Sequence, residues 1–357
     1  MADALRIQTC LLTGFLGSGK TTVLNQLLQD PASGQTAVIV NEFGEVALDH
    51  LLIARATEEM LVLQSGCVCC SMRNDLLETM RGLFLQRERG EIPRFERLLI
   101  ETTGLADPAP ILRTLIHEVD ISRHFEVDAV LCTVDLLNFE DTLEARFESR
   151  KQVAVADRLL LTKFDLLEAE LGEDAARACL LELEQQLWAL NPSAPHILVR
   201  DGKVAASAVF GTSIEGGGAV DAWLRDDAFL AAVSEEGGYH AHEHGHEHEH
   251  GHEHGHELRS FCLTYDEPIP MRVFEAWLTS LLHFQGPRLL RVKGIVHLRE
   301  IEKPTVLHIV QHAFHEPIIL DAWPDGDRRT RIVFITVGLV RERIADLLND
   351  LLDHEIE

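Results

Sequence analysis

Apolar residues over the first 200 positions fall into two patterns: short unbroken runs, and longer stretches where they recur every three or four residues. The runs "LRIQTCLLTG" (5–14), "TAVIVN" (36–41), "RLLIET" (97–102), "AVLCTVD" (129–135) and "RLLLTK" (158–163) are rich in Leu, Ile and Val. They predict strands of a parallel sheet buried on both faces. Between them, "FLGSGKTTVLNQLLQD" places Val23, Leu24, Leu27 and Leu28 at helical spacing. "RNDLLETMRGLFLQRERG" and "AARACLLELEQQLWALNP" also read as helices, the latter stopped by Asn191-Pro192. Strand and helix in alternation predict an α/β fold with a doubly wound sheet.

From about Ser234 the pattern breaks. "SEEGGYHAHEHGHEHEHGHEHGHEL" has no apolar periodicity and reads as a disordered linker over 231–258. Beyond it, "RSFCLTYDEPIP", "LLRVKGIVHL", "TVLHIVQHAF" and "RRTRIVFITVG" predict antiparallel strands. "MRVFEAWLTSLLH" and "VRERIADLLNDLLDHEIE" predict two helices covering one face. The expected organisation is therefore a nucleotide-type α/β domain at 1–230, the linker, and a smaller α+β domain at 259–357.

Composition changes this picture only in what it excludes. The 357 residues are 46% hydrophobic and 25% charged, ordinary for a folded chain. No apolar run approaches the ~18 residues that span a bilayer, and "MADALRIQTCLLTG" lacks a basic start and cleavage site. A cytoplasmic protein is expected. With Lys+Arg 32 against Asp+Glu 58, the net charge of −26 disfavours nucleic acid and anionic membranes and favours cations. Seven cysteines in a reducing compartment suggest metal or redox chemistry more than disulfides.

The candidate chemistry starts at "GFLGSGKTT", which matches G-x-x-x-x-G-K-[ST] from Gly14 to Thr21. Gly14, Gly17 and Gly19 let successive N–H groups turn inward around phosphate oxygens, with Ser18 and Thr22 completing the set. Lys20 would reach the β- and γ-phosphates, and Thr21 would offer its hydroxyl to Mg²⁺. "LLIETTG" ends a strand on Glu101, where P-loop proteins hold Mg²⁺, and Gly104 would bring its N–H to the γ-phosphate. Thr162-Lys163-Phe164-Asp165 resembles the [NT]-K-x-D guanine motif. Asp165 would accept from the guanine N1–H and 2-amino group and Lys163 would cover the base plane, which favours GTP over ATP.

"SGCVCCSM" sets Cys67, Cys69 and Cys70 within four positions. Three thiolates suit Zn²⁺ or another soft-accepting ion, with a fourth position open; structural cysteines and a redox cluster are the competing readings. Cys10, Cys132, Cys179 and Cys262 sit in apolar patterns and read as core residues. His308, His312 and His315 lie close together and read as structural or surface histidines.

Taken in order, "GFLGSGKTT", "NEFGEVALD", "SGCVCCSMRNDL", "LLIETTGLADP" and "LLTKFDLLE" resemble the CobW-type metallochaperone GTPases, relatives of the hydrogenase and urease nickel-insertion GTPases. The resemblance runs from about Ile7 to Glu168, and more loosely from Arg259 onward. It implies a P-loop GTPase fold and GTP hydrolysis with Mg²⁺; with no water-positioning glutamine or arginine finger evident in the sequence, slow intrinsic turnover is expected. It also implies binding of a transition metal, zinc first with Co²⁺ or Ni²⁺ compatible, and delivery to a client metalloprotein. Cys67, Cys69 and Cys70 fall on the family's metal motif; Glu42, with Glu45 and Asp49, falls on its acidic switch segment. Ala47 stands where the family commonly has glycine. The nickel-insertion relatives pair through the nucleotide face, which makes a nucleotide-dependent homodimer an expectation. A cobalt-handling factor for corrinoid synthesis or metalloenzyme activation, and a metal buffer uncoupled from nucleotide, are the alternatives.

Nine of the 19 histidines, His240, His242, His244, His246, His248, His250, His252, His254 and His256, alternate with Glu, Gly and Ala. Neutral imidazoles at this spacing bind Zn²⁺, Ni²⁺, Co²⁺ or Cu²⁺, and protonation below about pH 6 releases them. The expected outcome is that full-length protein binds several more zinc ions at pH 7.5 than protein lacking 240–256, and that the excess is gone at pH 5.5. Equilibrium dialysis with metal analysis measures it.

Overall fold

The computed structural model describes residues 6–40, 62–64, 72–210, 257–311, 313–314, 317–323 and 326–356. Contacts divide the chain into two units, Met1–Leu183 with His196–Gly216, and Glu184–Pro195 with Gly217–Glu357.

In the first unit the chain runs β1 (Ile7–Gly14), α1 (Lys20–Gln29), β2 (Thr36–Val40), β3 (Val62–Gln64), α2 (Met72–Arg89), β4 (Arg97–Glu101), α3 (Ala109–His117) and α4 (Val119–Ser122). It continues through β5 (Phe125–Asp135), α5 (Phe139–Ala145), α6 (Phe147–Val155), β6 (Arg158–Thr162), α7 (Phe164–Leu171), α8 (Glu173–Leu190, whose residues from Glu184 on fall in the second unit) and β7 (His196–Leu198). The seven strands pair in parallel in the order β3-β2-β4-β1-β5-β6-β7. The chain first winds to one side of β1, then reverses and winds to the other. A crevice opens at such a reversal, beyond the carboxyl ends of the strands.

The unbroken apolar runs are explained by burial on both faces. Leu11, Leu12, Leu98, Leu99, Leu131, Leu159 and Leu160 are all excluded from solvent, although neighbours in a strand point oppositely. Cys10 and Leu12 join Val23, Leu24 and Leu27 of α1 in one cluster, closed by Val209 and Phe210. Each fully buried Leu or Val contributes about 1.5–3 kcal/mol relative to exposure. The helical spacing of α1 is thus the half of a contact whose other half is the alternation of β1.

The second unit contains β8 (Leu258–Tyr265), α9 (Met271–Gln285), β9 (Leu289–Val296), β10 (Thr305–Val310), β11 (Ala313–Phe314), β12 (Ile318–Ile319), β13 (Thr330–Val337) and α10 (Arg341–Ile356). Its antiparallel sheet runs β11-β10-β9-β13-β8, with β12 also on β10. Phe261, Leu263, Ile332 and Phe334 of the sheet pack with Phe274, Trp277 and Leu281 of α9 and Ile344 and Leu348 of α10. Trp277 is fully buried and its indole N–H donates to Ile344 O at 3.1 Å. Two helices on one sheet face is the arrangement their periodicity predicts.

Several details differ from the sequence reading. "TVLHIVQHAF" is not one strand: Gln311 takes a left-handed φ of 53° and turns β10 into β11. Cys10 and Cys132 are core residues, whereas Cys179 and Cys262 are only half-buried. Cys262 alternates with Phe261 and Leu263, which take the helix-covered face. His308 is buried and faces Lys293 across the β10–β9 pair; His312 and His315 lie outside the described residues. No helix among the described residues is long and apolar enough to cross a membrane.

Burial at the edge strand β7 pulls the His196 pKa down to about 4. Between there and about 6.5 the unfolded chain binds a proton that the folded chain refuses, so stability falls as pH drops through this window. The expected outcome is that His196→Asn flattens the loss of urea resistance between pH 7 and pH 5.

Candidate functional site

The sequence-predicted nucleotide residues converge on the carboxyl ends of β1, β4 and β6. β1 ends at Gly14, and the chain turns through Phe15 to Gly19 before entering α1 at Lys20. Gly14, Gly17 and Gly19 have φ of 142°, 75° and 88°, the region open to glycine and strained for other residues. At Gly14 space is lacking as well: a Cβ would lie 2.2 Å from Thr133 Oγ1 and 2.6 Å from Thr133 O. The turn can therefore sit directly on β5 only with glycine there.

Ser18 fixes this turn from within. Its hydroxyl donates to Phe15 O at 2.7 Å and lies 2.6 Å from Thr133 Oγ1, while its N–H donates to Phe15 O. Lys20 is buried and its ammonium donates to Gly14 O and Phe15 O, both at 3.0 Å, so the cation lies across the loop. Gly19 precedes α1 without a side-chain cap, and no acidic residue occupies the first turn, so the helix presents its positive end to the loop. Such a cradle takes an anion of phosphate geometry. Thr22 faces away from it, on the solvent side of α1, against Gly202.

β4 lies beside β1 and ends at Glu101, which is buried. Thr21 Oγ1 donates to Glu101 Oε1 at 2.7 Å. A hydroxyl and a carboxylate at this separation are hard oxygen donors, the set that suits Mg²⁺ held partly through water. Past Glu101 the chain passes under the loop: a Cβ on Gly104 would lie 2.6 Å from Leu16 N and 2.7 Å from Leu16 Cα. Leu16 and Leu105 are both largely exposed beside this contact.

On the other side, Thr162 closes β6 and donates its hydroxyl to Ser18 O at 2.8 Å. Lys163 follows with φ 62°, a left-handed conformation uncommon outside glycine. Its ammonium pairs with Asp135 Oδ2 at 2.6 Å, at the end of β5. Asp135 also accepts from Asn138 Nδ2 and from Leu137 N–H, so it is fixed before it holds the lysine. Asp165 lies in the first turn of α7. Arg200 closes over the Phe164 ring at 4.8 Å and pairs with Glu168 at 2.8 Å.

The structure thus brings together Gly14, Gly17, Ser18, Gly19, Lys20, Thr21, Glu101 and Gly104, with Lys163 and Asp165 following β6, two strands from β1. Glu42, Cys67, Cys69, Cys70 and the histidines from His240 to His256 lie outside the described residues. Among the described residues no cluster of three His, Cys, Asp or Glu side chains could hold a metal. The sequence reading missed Asp135 and Asn138; the signal available was a carboxylate ending "AVLCTVD" next to the strand that carries Lys163. It also missed Lys151 and Gln152, which reach the segment after Glu101 from α6.

Because Gly104 abuts backbone rather than a flexible side chain, Gly104→Ala must displace either the loop or the segment after β4. The expected outcome is an affinity for a GTP analogue at least about tenfold weaker, with GDP affinity changed less than about threefold, by fluorescence titration.

Comparison with known proteins matches two family domains along the chain. The CobW/HypB/UreG nucleotide-binding domain matches residues 8–195, and the cobalamin synthesis protein CobW C-terminal domain matches residues 258–352. The zinc chaperone YjiA of Escherichia coli is 30% identical over 339 residues, 95% of this chain and 96% of that protein. The zinc chaperone CobW of Pseudomonas aeruginosa is 32% identical over 203 residues, 48% of this chain and 52% of that one. The zinc-regulated GTPase metalloprotein activator 1 of Saccharomyces cerevisiae is 31% identical over 185 residues, 46% and 42% of the two chains. Among solved structures, Zn(II)-bound YjiA GTPase from E. coli superposes with a TM-score of 0.67 at 24% identity, covering 97% of this chain and 99% of that one, a likeness of fold. With a family domain matched over more than half its length and a relative aligned nearly end to end, this chain belongs to the CobW/HypB/UreG family.

Proposed function

We propose that this protein is a GTP-hydrolysing metallochaperone that binds zinc at Cys67, Cys69 and Cys70 and hands it to a client metalloprotein under nucleotide control. The observation that carries the reading is the bond between Thr21 and Glu101 beneath a glycine turn suited to phosphate, in a chain that sets three cysteines one helix before the strand ending at Glu101. The domains proposed to divide this work are 1–230 for nucleotide, 231–258 for metal capture by the His-rich run, and 259–357. The relatives' names, zinc chaperone and zinc-regulated GTPase metalloprotein activator, support zinc as cargo and a metalloprotein as recipient. Handling of Co²⁺ or Ni²⁺ by the same thiolates is the alternative cargo.

In this reading the N–H groups from Gly14 to Thr22 bind the phosphates and Lys20 leaves the carbonyls of Gly14 and Phe15 for β- and γ-phosphate oxygens. Thr21, Glu101 and Glu42 would hold Mg²⁺, which supplies charge neutralisation at the γ-phosphate. Gly104 donates its N–H toward that phosphate. Lys163 covers the guanine and Asp165 accepts from its N1–H and 2-amino group. Asp135 keeps the lysine extended by holding its far end. Turnover is slow in isolation, and the work is done in the cytoplasm. A homodimer forms through the nucleotide face when GTP is bound.

The γ-phosphate orders the 41–49 and 101–104 segments, and the thiolates lie between them in sequence, so metal affinity follows nucleotide state. By linkage, if GTP tightens zinc binding, zinc tightens GTP binding by the same factor. The test is zinc affinity of protein lacking 240–256, by competition with a chromophoric chelator, with GTP analogue and Mg²⁺, with GDP, and without nucleotide. A shift of tenfold or more, about 1.4 kcal/mol, abolished by Cys69→Ser, is expected. Equal affinity in all three states would mean a passive metal site with no nucleotide control.

A further inference from the structure

The segment that leaves β4 is gripped from the side opposite the glycine turn. Gln152 on α6 is fully buried, and its amide donates to Gly104 O at 3.2 Å and to Ala106 O at 3.0 Å. Next to it on the helix, the Lys151 ammonium pairs with Asp107 Oδ2 at 2.6 Å. The other oxygen of Asp107 accepts from Ala109 N–H and opens α3. Positions 104, 106 and 107 are therefore tied to one helix while Gly104 presses on Leu16 of the turn.

Stability alone does not explain the glutamine. Its Oε1 is buried with no hydrogen-bond partner among the described residues, so part of what its two donated bonds contribute is offset by a desolvation cost, and the amide is held for where it points. Its amide protons reach only carbonyls of the segment after β4. The same helix also leads to the base side of the site. α6 ends at Val155 and the chain passes through Asp157, whose N–H and carboxylate both bond Val130, into β6 and the Thr162–Asp165 motif. A rigid element is thus bonded at its middle to the segment beside the γ-phosphate position and continuous at its end with the guanine motif.

We infer that Gln152, assisted by Lys151, is a positioning residue that sets the Gly104 segment against the phosphate loop and so gives the protein its discrimination between GTP and GDP. This rests on the GTPase reading above. Gln152 touches no nucleotide atom; it acts through the carbonyls of Gly104 and Ala106. A residue that only filled the core would affect both nucleotides alike, whereas a residue that orients this segment affects the triphosphate state.

The test uses the full chain and the variant Gln152→Met, which keeps length and removes both donors, with Lys151→Met at the half-buried partner. Affinities for GDP and GTPγS, kcat and KM for GTP, and melting temperature are measured together. The expected result for Gln152→Met is kcat and GTPγS affinity each reduced about tenfold or more and GDP affinity within about threefold, in a protein that still folds with a modestly lowered melting temperature, since the carbonyls of Gly104 and Ala106 lose their donor. Lys151→Met moves the GTPγS-to-GDP ratio in the same direction by a smaller factor. An unmoved ratio in folded Gln152→Met, or equal weakening of both nucleotides, overturns the inference. Should Gln152→Met fail to fold, Lys151→Met decides, and an unmoved ratio there overturns it. Wild-type protein that binds no guanine nucleotide would overturn the functional reading itself, which separates that failure from failure of the clamp alone.

Discussion

The first unit depends on the absence of a side chain at Gly14. With a Cβ only 2.2 Å from Thr133 Oγ1 the turn could not lie on β5, and three contacts would go with it. Ser18 would lose Thr133, Thr162 would lose Ser18 O, and Gly104 would lose its seat against Leu16. Every strand end that supplies a candidate group reaches the site by packing on that turn. The buried leucines on both faces hold the strands in fixed register, and that register brings groups from positions 14 to 163 to bonding distance.

Much of this was legible because it is written locally. Strand runs at 36–41, 97–102 and 158–163 match β2, β4 and β6 to within a residue, since two-sided burial demands unbroken Leu, Ile and Val. The loop glycines, Lys20, Thr21 and the Lys163–Asp165 motif announce themselves by spacing. β7 was not legible, since "HIL" is too short for a period, and the first residues of β5, "FEVD", alternate in polarity where the run was expected to begin only at Ala129.

What stayed hidden is carried by contacts between residues distant in sequence. Asp135 meets Lys163 across 28 positions and Gln152 meets Gly104 across 48. Neither pair has a spacing that a single sequence can signal, because it arises from strand order. Cys262 shows the same limit in another form: its strand was apparent, but which of its faces the two helices would take was not.

The bond from the Thr162 hydroxyl to Ser18 O has a consequence for recognition as a whole. In the proposed reading the base and the phosphates are grasped by two loops that share this hydrogen bond, so the ordering of one is already part of the ordering of the other. A ligand carrying both ends meets that entropic cost once. A nucleoside or an inorganic phosphate alone must meet nearly all of it for half the contacts. On that reading the joint would make the intact nucleotide the unit that is recognised, and fragments of it poor competitors.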